Sequence, residues 1–222
     1  MDTGVTLPEA QLEHFYRYLD SGKPLIGVRT ANHGFLDFDY QLDGRKINFG
    51  EDVLGGSFRS HHGRWHQDST RGLPIGAQRD HPILRGVEDV WGPSDVYRTY
   101  PEGAALPAGC TALVMGQPLT GRKPTDPFNE KLIALPVAWT RTWTGRTGQN
   151  AGVFHTTMGS ARDFQSAGLR RLVINASYWC LGMEDAIQAD APVDPVGPYR
   201  PLESGFHYEE LGVRPRPVAS YR

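Results

Sequence analysis

The sequence predicts an α/β domain, and three observations carry that prediction. A helical apolar stripe opens the chain, a short apolar run without alternation follows at 23–28, and a second long stripe runs from Leu169 to Leu181. Helices alternating with short, fully apolar strands suit a sheet covered by helices on its faces. A length of 222 residues suits one α/β domain or two small ones. The formal net charge of -2 leaves no basic excess for nucleic acid or an anionic membrane surface. A hydrophobic content of 39% is too high for a disordered chain. With 26 Gly and 17 Pro, the chain should be rich in loops, which carry sites more often than regular elements do.

The first element reads as a helix over 6–20. Thr6 and Glu9 make a Thr-x-x-Glu capping box with Pro8 in the first turn, Leu12, Phe15, Tyr16 and Leu19 form the stripe, and Gly22 closes it. The run Lys23-Pro24-Leu25-Ile26-Gly27-Val28 reads as a strand buried on both faces, as in a parallel sheet. The chain then turns polar at once, through Arg29, Thr30, Asn32 and His33, which marks the carboxyl end of a strand where open α/β sheets place ligands. Residues 36–80 read as irregular, apart from a short helix around Gly50–Leu54 ahead of a Gly55-Gly56 turn. Turns are expected at Gly92-Pro93 and Pro107-Ala108-Gly109. Strands are expected at Thr111–Gly116, Leu135–Trp143 and Ala151–Thr157, with a polar loop over 117–131. The last helix buries Leu169, Leu172, Val173, Ala176, Trp179 and Cys180. Residues 186–222, with six prolines, read as an extension that wraps the domain or reaches a partner.

Two cysteines, Cys110 and Cys180, do not make a secreted disulfide framework, and both read as reduced. No apolar run is long enough for a transmembrane helix, and the first residues lack the pattern of a signal peptide, so a cytoplasmic chain is expected. Phosphate-cradling, dinucleotide, serine-hydrolase and zincin motifs are all missing.

Five stretches, in order, carry a resemblance. They are GKPLIGVRTANHGF (22–35), VLGGSFRSHHG (53–63), DHPILRGV (80–87), LPVAWTRTW (135–143) and the segment from Val153 to Glu184. The chain resembles the ThuA-like (trehalose-utilisation) family, a branch of the class I glutamine amidotransferase-like folds. The resemblance implies a flavodoxin-like three-layer α/β/α domain over 1–185, with 186–222 as a Pro-rich C-terminal extension. Members of the family begin with βα units ahead of the helix at 6–20. At roughly 30 residues per step, two or three such units are expected to be lacking here, with no strand pairing N-terminal to residue 6. An exposed sheet edge would then favour a homo-oligomer.

The amidotransferase relatives carry a catalytic Cys on the sharp strand-to-helix turn, and the matching position here is Arg29. A guanidinium is not a nucleophile, so thioester chemistry on glutamine is not expected. Arg29 reads instead as a cation for an oxyanion-developing substrate oxygen, or as a bridge that orders the loop through carboxylates. His33, four residues on, stands in for a His that many members carry at the Arg29 position. His61 matches a histidine after the Gly-Gly turn; His62 is its neighbour and should point to the opposite face. His61, His66 and His81 are weak candidates for a divalent metal, whose spacing fits no compact metal signature, and His81 before Pro82 also suits a turn cap. Asp95 and Tyr97 match an acidic-x-aromatic element, in which an Asp can orient a His. His155 matches the strand end where amidotransferases keep their catalytic His, with Thr156 and Thr157 beside it. A Gly-His pair of the family reads Gly159-Ser160 here. Trp139 and Trp143 could stack on a pyranose ring or pack in the core.

The first expectation is a protein of carbohydrate utilisation, acting on trehalose or a related keto-sugar by proton transfer without a cofactor. His33 or His155 would be the acid or base, Asp95 its orienter and Arg29 the stabiliser of negative charge, with Thr30, Asn32, His61, Tyr97, Trp139, Thr156 and Thr157 at the substrate. The alternatives are a non-catalytic sugar-binding or assembly module derived from the amidotransferase fold and, more weakly, a metal-dependent hydrolase. The partner expected in each case but the assembly module is a small molecule, not nucleic acid or a membrane.

Overall fold

A computed structural model gives the architecture and describes residues 7–35, 37–101, 105–203 and 205. Helix α1 spans Glu9–Asp20, with Pro8 just ahead of it and Glu9 in the first turn, where an acidic side chain complements the helix dipole. Its stripe buries Leu12, Tyr16 and Leu19. Gly22, at φ +69°, turns the chain out of the helix. The Thr6 half of the expected capping box lies outside the described residues.

Among the described residues, ten strands follow the helix. They are β1 (Leu25–Val28), β2 (Gln41–Leu42), β3 (Arg45–Lys46), β4 (Ser60–His62), β5 (Thr70–Pro74), β6 (Val90–Gly92), β7 (Val96–Arg98), β8 (Cys110–Pro118), β9 (Leu135–Thr144) and β10 (Asn150–Thr156). Helix α2 spans Ala167–Cys180, capped by the Ser166 side chain. The main sheet has the order β1-β10-β9-β8-β5-β6, while β2-β3 and β4-β7 form two small antiparallel ribbons.

The fold is mixed α/β, and its sheet is mixed as well. β1 and β10 pair in parallel, as the apolar run at 23–28 suggests, but the remaining four pairings of the sheet are antiparallel. The reading of 36–80 as irregular needs correction. Thr70–Pro74 is an internal strand of the main sheet, and β4 with β7 builds the ribbon that carries the site. The miss has a physical cause. β5 reads TRGLP, with a Gly and a terminal Pro, and it holds its place through neighbours β8 and β6 instead of its own propensity.

Alternation along β10 divides two cores. Val153 and Ala151 enter a cluster with Leu12, Tyr16 and Leu19 of α1, Trp143 and the aromatic segment from Phe38 to Phe49. Phe154 enters the other, with Leu169, Leu172 and Ala176 of α2, Val114 and Val137. Every residue of the α2 stripe named from the sequence belongs to or packs against this second cluster. Residues 184–203 then run back over the domain. Arg85 donates to the carbonyls of Glu184 and Ile187, Arg170 to that of Val193, and Glu203 pairs with Arg122 and Arg162. Among the described residues, no helix is long and apolar enough to cross a membrane.

Gly168 in the first turn of α2 gives one stability prediction. A Cβ there would sit 1.6 Å from the Asp89 carbonyl oxygen. Alanine is ordinarily the better helix former by about 1 kcal/mol. Here the backbone clash reverses that, and Gly168→Ala should lose about 2 kcal/mol in urea unfolding. A neutral or stabilised variant would mean that α2 does not approach β6 this closely.

Candidate functional site

The site starts at the carboxyl end of β1. Arg29 takes φ +49°, a left-handed backbone that costs an L-residue roughly 1 kcal/mol, and residues 29–33 continue as a tight 3-10 turn. This is the sharp strand-to-helix corner expected from the sequence. The Arg29 side chain turns inward and is buried. Its guanidinium donates to the main-chain oxygen of Asp95, to Asp95 Oδ1 at 3.4 Å and to the Thr157 carbonyl at 3.4 Å. Its Cζ also lies 4.4 Å from the centre of the Tyr97 ring, a cation–π contact. Of the two readings of Arg29, the geometry is that of the bridge. The cation holds a carboxylate and a ring in place instead of standing open to solvent.

Asp95, between β6 and β7, is 1% exposed. Its Oδ2 accepts from His61 Nδ1 at 2.6 Å. A proton on Nδ1 leaves the lone pair on Nε2, and the His61 side chain is 43% exposed. The strand register explains the meeting: His61 of β4 stands directly across from Tyr97 of β7, two residues after Asp95. His62, next along β4, points the other way, is buried, and donates through Nε2 to the Ile133 carbonyl at 2.7 Å. Burial pulls its pKa below the usual histidine value.

His33 joins the group from the turn. Its Nδ1 donates to Asn32 Oδ1 at 2.7 Å, and its ring lies 4.5 Å from Phe58 and 5.3 Å from Tyr97. Phe58 in turn lies 5.4 Å from His61, so His33, Phe58, His61 and Tyr97 form one continuous ring wall. Phe58 escaped the reading of the sequence. The signal for it was its place between the Gly55-Gly56 turn and His61. Thr30 is exposed beside Arg29, while Asn32 is fully buried.

Other candidates fall elsewhere, and three expectations are corrected. His155 is not at an open strand end. It lies opposite Gly27 within the sheet, 0% exposed, with Nδ1 donating to the Gly27 carbonyl at 3.0 Å and the ring 4.8 Å from that of Trp139. Burial, opposed by that hydrogen bond, pushes its pKa down to about 3, so it is a neutral core residue. Trp139 is also fully buried and spends its indole N–H on the Leu54 carbonyl at 2.8 Å, which leaves no face for a pyranose. Thr156 uses its hydroxyl to cap the Met158 N–H, and Thr157 is buried with its carbonyl toward Arg29.

His61, His66 and His81 do not converge. His81 caps the Ile83 N–H and lies 5.8 Å from the Trp179 ring, while His66 lies against Trp65. Among the described residues, no group of three or more His, Cys, Asp or Glu side chains is arranged to hold a metal ion. Both thiols are free, and burial raises the pKa of each, that of Cys180 to about 11, so neither is a ready thiolate. Ser160, where the family pair has histidine, instead caps the turn 161–165 through a reciprocal box with Asp163.

The buried histidine makes acid stability a prediction. His155 is neutral in the folded chain and takes up a proton near pH 6.5 once unfolded. Unfolding therefore gains protons as pH falls, and stability should be constant above pH 6.5 and decline from there toward pH 3. The decline should reach about 3 kcal/mol by pH 4.5. His62 and His81, both lowered by burial, act in the same direction. His155→Asn, which keeps a donor for the Gly27 carbonyl, should flatten this limb in pH-dependent urea unfolding.

Fold and site together define a mixed α/β protein with a histidine–carboxylate pair beside a sharp strand-to-helix turn. The chain belongs to the ThuA family, described as trehalose utilisation, whose family model matches residues 1–180. No curated protein and no solved structure matches the chain.

Proposed function

We propose that this ThuA-family chain acts in carbohydrate utilisation by proton transfer on trehalose or a related keto-sugar, with His61 as the acid or base. The observation that carries this reading is the His61–Asp95 pair: a half-exposed imidazole held at 2.6 Å by a buried carboxylate that Arg29 anchors from behind. A buried carboxylate fixes the tautomer and orientation of the ring and stabilises the imidazolium that forms in the reaction. Arg29 is a positioning residue here, and His33 borders the same ring wall. The sequence points to His33 or His155 for the proton transfer; His155 is buried and His33 Nδ1 bonds the Asn32 amide, whereas His61 has the Asp95 carboxylate, which favours His61. No covalent thioester step is required, in keeping with the raised thiol pKa values. The flavodoxin-like, amidotransferase-derived frame belongs to this reading. It is supported by the parallel β1–β10 pair, by helices packed into both cores and by the left-handed corner at Arg29.

The test is deuterium wash-in from D2O at the carbon next to the carbonyl of keto-trehalose and keto-glucose, followed by NMR. Wild type should exchange faster than buffer. The capped Ser160 favours the rival reading, a sugar-binding module without turnover. In that case sugars would raise the melting temperature while no exchange occurs.

A further inference from the structure

Beside the turn lies a cavity of about 490 Å3 with an uneven chemistry. Its apolar wall comes from Phe35, Phe38 and Phe49, and its polar wall from Asn32, Lys46 and Asn48, with no Asp or Glu among the lining residues. The side-chain amide oxygens of that polar wall are already engaged. Asn32 Oδ1 takes the proton of His33 Nδ1 at 2.7 Å, and Asn48 Oδ1 accepts from the Glu51 N–H at 2.9 Å. What remains to offer is donors. The Asn32 amide nitrogen is buried without a partner, the Asn48 amide nitrogen is not used by that cap, and the Lys46 ammonium makes only an exposed pair at 3.3 Å with Asp39. Asp52, four residues after Asn48, is spent on Arg45 and the Asn48 N–H.

We infer that this cavity binds the carboxylate of a sugar acid, with the pyranose face against the phenylalanines. An unpaired buried amide donor costs free energy that a carboxylate oxygen would recover. Two amides and one ammonium supply a single positive charge, which suits a singly charged carboxylate. The cavity meets the proton-transfer pair through His33, whose ring touches Phe58 and, beyond it, His61. The inference thus rests on the proposed function and narrows its substrate to an oxidised sugar.

Calorimetric titration of the full chain with glucuronate and with its neutral methyl ester tests this. The acid should bind about tenfold or more tightly than the ester, the difference expected when charged hydrogen bonds are lost. Asn48→Asp keeps the cap on Glu51 N–H but replaces a donor by a like charge, and should abolish that preference without unfolding the chain. Lys46→Gln, at an exposed position, should weaken the acid severalfold and leave the ester unchanged. Equal binding of acid and ester, no binding of either at millimolar concentration, or an unaltered preference in Asn48→Asp overturns the inference. Deuterium exchange on neutral keto-sugars together with any of these outcomes would leave the His61 reading standing. Acid-selective binding with no exchange on any sugar would do the reverse.

Discussion

Asp95→Ala should be the most damaging single substitution at the site. Removing this carboxylate takes away the Arg29 guanidinium's ion-pair partner and leaves the buried cation with the Asp95 and Thr157 carbonyls, the Tyr97 face and the more distant charge of Asp163. Breaking a buried ion pair from one side costs roughly 3–5 kcal/mol, because the remaining charge is left without its counterion. For a domain of this size that is on the order of 10 °C in melting temperature. Denaturant unfolding checks the size, and a double-mutant cycle checks the cause. Asp95→Leu combined with Arg29→Met should recover much of the loss, since neither charge then remains. A loss below about 1 kcal/mol for Asp95→Ala would show that the pair is not buried as described.

His61→Gln should separate activity from stability. The side chain is 43% exposed and a Gln amide can still donate to Asp95, so unfolding should shift by less than about 1 kcal/mol. Exchange on the keto-sugar should fall about 10²–10⁴-fold, the range for loss of a positioned acid or base. His155→Asn should leave exchange near wild type, because that ring is sealed in the sheet. An active His61→Gln variant would remove His61 from the chemistry altogether.

The elements with their own periodicity were legible in the sequence. α1, α2, β1, β8, β9 and β10 fall within a few residues of where the patterns place them, because each carries an uninterrupted apolar face. β5, β6 and β7 were not legible. They are three to five residues long, β5 and β6 contain Gly or Pro, and each is held by its pairing partner instead of its own propensity. The site shows the same division. Arg29 stood out as a polar residue at a strand end, while His61, Asp95 and Tyr97 were named through the family resemblance. That Asp95 serves His61, and not His33 or His155, depends on the β4–β7 register, which pairs two short segments that no local pattern announces. The burial of His155 and Trp139 was equally hidden, since a strand residue's face is decided by what packs on it.

The long-range pairing of β1 with β10 also bears on folding. Leu25 lies against Val153, and the contacts of Arg29 reach 66 and 128 residues along the chain. Non-local contacts of this kind demand loop closure before they return any stabilisation, so they form late and slowly. The left-handed corner at Arg29 has no local reward; until Asp95 and Thr157 arrive, the arginine has every reason to leave it. Refolding should therefore produce α2 and the β8–β9–β10 meander first, with the corner at Arg29 closing last. During that interval the apolar strand at 25–28 is a ready partner for other chains.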